Sequence, residues 1–146
     1  MTSDNVSFEL MVERSWSLAV FEAAYRFEEL KPTVLAALSS PNGEVRSAAV
    51  AVLNEANDQT AHDQVVALIR DQDQWVRHEV LEYLNDFAVE EDAELILGFL
   101  KEREHLFLAS RALERLYPQG PLIDEEADVV SQEADISMWE AIIGSR

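Results

Sequence analysis

Cysteine is absent from this chain, which excludes disulfides, thiolate zinc sites and cysteine nucleophiles. Glycine and proline are scarce, at four each, too few for a turn-rich β-sandwich or for a glycine-loop dinucleotide site. No stretch approaches the roughly 18 continuous apolar residues of a membrane span. Met1-Thr-Ser-Asp-Asn also lacks the basic-then-apolar order of a secretory signal, so a cytoplasmic location away from membranes is the expectation. Positive charge is the last deficit: 11 Lys and Arg stand against 29 Asp and Glu, a net charge of −18. A field of that sign repels phosphate backbones and anionic lipid, and it speeds encounter with basic partners.

What remains is a composition rich in Leu, Val and Ala, which favours helices, and that composition is periodic. Val34, Leu35 and Leu38 are followed thirty-one residues later by Val65, Val66 and Ile69, and after the same interval by Ile96, Leu97 and Leu100. The i, i+1, i+4 spacing places each triplet on one helix face. A second helix follows each triplet. Val45, Arg46, Ala49, Val52 and Leu53 align with Val76, Arg77, Val80, Tyr83 and Leu84. In the third unit Leu108, Ala109, Ala112 and Leu116 fit best with one inserted residue around 101–104. Asn42 and Asp73 stand where they would cap their second helices.

The run Ile69-Arg-Asp-Gln-Asp-Gln-Trp-Val-Arg77 resembles HEAT repeats, especially the short bacterial kind; residues 39–53 carry the resemblance well, and the third unit lacks the arginine. It implies an all-α fold, an α-α superhelix (solenoid) of three to four helical hairpins. It also implies that Asn42, Asp73, Arg46 and Arg77 are scaffold pairs, not a site. The expected organisation is a repeat domain over 1–118, with repeats at about 31–56, 61–87 and 90–117. A degenerate N-terminal hairpin over 4–29 precedes them, with Trp16, Val20, Ala23 and Ala24 repeating the second-helix spacing. Its aromatics (Phe8, Trp16, Phe21, Tyr25, Phe27) suit a cap over an exposed core. Residues 119–146 read as an acidic tail with seven carboxylates against Arg146. A short amphipathic helix over 135–143, capped by Asp135, either folds back or docks elsewhere.

Chemistry for catalysis is missing. No phosphate-binding loop is present, and His62, His78 and His105 lack metal-ligand spacing and read as surface residues. The many carboxylates offer no pair singled out for acid–base work, so neither an enzyme nor a cofactor is expected. Lys and Arg do not line the second helices as phosphate contacts would require, so direct nucleic-acid binding is not expected. The second helices instead offer a stripe of Trp75, Glu79, Glu82 and Asp86 at i, i+4, i+7, i+11. Glu44, Ala48, Ala51 and Glu55 match it upstream, and Phe107, Arg111 and Glu114 downstream. Trp75 either anchors a partner or packs on its neighbouring repeat; Phe107 reads as core. The expected function is a non-catalytic protein-binding module, an immunity or inhibitor protein whose acidic surface neutralises a basic toxin such as a nuclease. Glu44, Glu55, Trp75, Glu79, Glu82, Asp86 and Glu114 would form its contacts. A scaffold that joins two partners, the second through 136–143, is the alternative. An enzyme acting on bilin chromophores, by analogy with related repeats, is a third.

Overall fold

A computed structural model describes residues 3–146, with side chains from Phe8 onward. Among the described residues the regular elements are all helical: α1 Ser3–Arg14, α2 Trp16–Tyr25, α3 Phe27–Ala37, α4 Gly43–Glu55, α5 His62–Val66, α6 Gln74–Phe87, α7 Ala93–Lys101, α8 Leu106–Leu116 and α9 Val129–Gly144. Short 3-10 turns at Gln59–Ala61 and Glu90–Asp92 lead into α5 and α7. The chain is an all-α repeat protein. It divides into two compact units, Met1–Tyr83 and Leu84–Arg146, which are taken in turn. None of the described helices is long and apolar enough to cross a membrane.

In the first unit the repeat is visible as burial and as hydrogen bonding. Val34 and Leu38 are buried with Leu35 half-buried, and Val65, Ile69 and Val66 show the same pattern. The turns match as well. The Asn42 side chain accepts from Glu44 N at 2.9 Å, and thirty-one residues on the Asp73 side chain accepts from Trp75 N at 2.8 Å. Arg46 Nη1 donates to the Ser40 carbonyl at 2.9 Å, and Arg77 Nη1 donates to the Asp71 carbonyl at 2.7 Å. Each arginine therefore clamps the turn six residues before it, satisfying a backbone carbonyl that lies outside any helix. Arg46 also spans the repeats, with a two-pronged pair to Asp71 at 2.9 Å on both prongs. Gly43 sits so close to Asp73 that an added Cβ would lie 2.1 Å from its carboxylate.

Two local differences from the sequence reading have physical causes. Helix α3 begins at Phe27, not at residue 31, and so carries Pro32 in its interior. Proline cannot donate to the Glu28 carbonyl there, but both residues are exposed and water can serve instead. Helix α4 is buried almost all round, from Val45 to Leu53, because α2 as well as α3 packs along it. The Trp16 indole donates to Ser47 Oγ at 3.0 Å across that contact.

In the second unit Ile96, Leu97 and Leu100 are buried with Ala109, Ala112 and Leu113 between α7 and α8. The turn around 101–104 closes with Arg103 and His105 in the left-handed region, φ 58° and 51°. Arg115 donates to the Ala88 carbonyl. In the first unit Tyr83 OH does the matching job, donating to the Asp58 carbonyl at 2.7 Å. The acidic tail folds back onto this unit. Ile136, Trp139 and Ile143 are buried, and the Trp139 indole donates to the Pro121 carbonyl at 2.7 Å. Helix α9 starts at Val129, six residues before Asp135, because Asp128 caps it by accepting from Ser131 N at 2.8 Å.

Candidate protein-binding surface

Helix α6 exists because Asp73 caps it and because Val76, Val80, Tyr83 and Leu84 give it a buried face. That burial turns the opposite positions outward. Trp75 is 62% exposed in the first turn, and Glu79 and Glu82 follow on the same side of the helix, half-buried. The Trp75 ring meets His78 edge-on, with ring centres 6.3 Å apart and planes at 74°. His78 Nε2 lies 3.6 Å from Glu82 Oε1, which places imidazole and carboxylate side by side near the tryptophan. Burial, and then the neighbouring Glu82 charge, push the Glu79 carboxyl up to about 7. A cation arriving at this stripe would meet an indole face and two carboxylates, one of them short of solvation.

The remaining expected contacts are scattered. Glu44 and Glu55 are exposed at opposite ends of α4, about 16 Å apart at helical rise. The positions between them do not face outward. Ala48 is fully buried and Ala51 nearly so, under the packing of α2 and α3, so α4 carries no continuous stripe. Asp86 is exposed one turn further along α6, and Glu114 on α8 is half-buried. Phe107, expected in the core, is 41% exposed. The histidines, read as surface residues, are half-buried.

The cap aromatics also divide. Phe8 is 2% exposed and Trp16 is held by its bond to Ser47, but Phe21 and Tyr25 point to solvent with Leu18. Their i, i+3, i+7 spacing was readable. It lies on a different face of α2 from the buried Ala19, Val20 and Ala23, so the helix is apolar on two sides.

Helical hairpins in tandem, tied by repeated turn clamps and with an outward face left on a second helix, define an α-helical repeat protein. The family described as HEAT repeats matches residues 31–116, from the α3 segment before Pro32 to the end of α8. The chain belongs to that family, whose repeats are generally protein-interaction modules and typically non-catalytic. No curated protein and no solved structure matches the chain.

Proposed function

We propose that the chain is a non-catalytic binding module for a basic protein, and that it acts as an immunity or inhibitor protein, covering the cationic cleft of a toxin such as a nuclease. The observation that carries this reading is the α6 stripe. A tryptophan 62% exposed on the outward side of a repeat helix stands beside two carboxylates, on a chain of net charge −18. Aromatic anchors supply much of the energy of protein interfaces, while matched charge sets their rate and specificity. A nuclease cleft built for phosphate presents the opposite sign. Glu79, Glu82 and Asp86, all on α6, would stand in for phosphates, with Glu44 and Glu55 contributing to the longer-range field.

The test is a titration of the chain against the basic protein that co-purifies with it at low salt, with that protein's own activity measured in parallel. Affinity should fall by about tenfold or more when salt rises from about 50 to 200 mM. Trp75→Ala and the double reversal Glu79→Lys/Glu82→Lys should each weaken binding, and the bound partner should lose activity. Salt-independent affinity with both variants binding normally would overturn the reading. Binding without loss of partner activity would favour an adaptor. The adaptor reading has lost the second surface first given to it, since Ile136, Trp139 and Ile143 are buried within their own unit.

A further inference from the structure

Helix α2 packs with one face and leaves another uncovered. Leu18, Phe21 and Tyr25 are 70%, 68% and 83% exposed, the three most exposed large apolar side chains among those described on the first unit. Single exposed apolar residues are ordinary, but three in line on a helix of ten residues make a continuous strip. Their spacing is the a, d, a pattern by which one helix lies along another. One flank of the strip is acidic. Glu22, next to Phe21 and one turn after Leu18, is 3.5 Å from Arg26, which itself grips Glu29 more closely at 2.7 Å. These exposed pairs hold weakly, so Glu22 is open to a cation from outside.

We propose that this strip docks one amphipathic helix of a partner protein, with apolar residues at the same spacing and Lys or Arg along its flanks. Charge selects this occupant. A second copy would bring another net charge of −18 to the seam. An anionic lipid surface meets the same repulsion. A basic helix turns the field into attraction, so the apolar strip supplies the anchoring contacts and the charge sets rate and specificity. This surface is separate from the α6 stripe and does not depend on it.

The experiment is fluorescence anisotropy with the full chain and a labelled synthetic helix of about five turns, leucines at i, i+3, i+4, i+7 and lysines elsewhere. Two control peptides carry the same residues scrambled, or glutamates in place of the lysines. Phe21→Asp and the milder Leu18→Ser/Tyr25→Ser leave the buried face of α2 untouched, and circular dichroism checks that each folds. The lysine peptide should bind wild type at least about tenfold more tightly than either control peptide does, and each variant should lose that margin. No binding, equal binding of the scrambled peptide, or binding unchanged in both variants would overturn the proposal. So would a wild-type dimer in sedimentation that Phe21→Asp dissociates, or attachment to neutral phosphatidylcholine vesicles that it abolishes.

Discussion

At the scale of single residues, one charged side chain ties two turns of the first unit together. Arg46 meets both oxygens of Asp71 and the Ser40 carbonyl, and the pair is largely shielded, with 11% and 8% of the two side chains exposed. Removing the arginine would strand a shielded carboxylate. Arg46→Met should therefore destabilise the fold by about 3 kcal/mol, read from urea unfolding, whereas loss of the exposed Arg26 pairs should cost little. Burial pushes the Asp71 carboxyl up, but the Arg46 guanidinium and the Asp73 amide more than reverse that and hold it below the usual aspartate range. Its contribution is present above the unfolded pKa and is lost as pH falls through the lower folded value. Arg46→Met should flatten that acid limb. Glu79 has the opposite sign. Its folded pKa of about 7 exceeds the ordinary 4.5, so the folded state binds the proton more tightly and stability falls as pH rises between them. Glu79→Gln should remove that slope and leave the variant more stable than wild type at pH 8, as measured by melting temperature across pH.

At the scale of elements, α9 is fixed by one ring. Trp139 is fully buried, its indole bonded to Pro121, and a Cβ on Gly120 would sit 2.1 Å from the ring. Trp139→Ala should cost about 3–5 kcal/mol. Gly120→Ala should also destabilise, because the ring has to move aside. In both variants limited proteolysis should cut first within 119–128, the segment that α9 holds in place. The elements also mark where the sequence could be read. The apolar triplets and the Asn42 and Asp73 caps were legible because periodicity and capping are local chemistry. The start of α9 was legible only in part: the Asp128 cap is local chemistry of the same kind, but Gln132 also holds the added turn by donating to the Asp124 and Glu125 carbonyls and accepting from Arg103 twenty-nine residues earlier, and such ties cross the chain. The α6 stripe was legible as a phase of one helix. On α4 the run of residues 45–53, apolar or small apart from Arg46 and Ser47, already spoke against an outward stripe, since a helix apolar all round is a buried one.

At the scale of the whole molecule, a net charge of −18 opposes compaction as well as inviting cations. Several of the 11 basic groups are already committed: Arg46 to Asp71, Lys31 to Asp58 and Arg146 to Glu94. Added salt should therefore raise the melting temperature, because it screens exposed carboxylate repulsion while the shielded pairs feel it less. A melting temperature that falls between about 0.05 and 0.5 M sodium chloride would show that attractive pairs dominate instead. The repeated turn clamp has a consequence for lengthening the chain. Arg46 and Arg77 each reach back to a carbonyl six residues behind them, and Arg46 reaches forward to the next turn's aspartate. A tandem duplication of residues 43–73 would thus carry in both halves of every tie that it interrupts. The protein should accept such a graft as a whole unit of thirty-one, while inserting a few residues between Ser40 and Arg46, or between Asp71 and Arg77, would part an arginine from its turn.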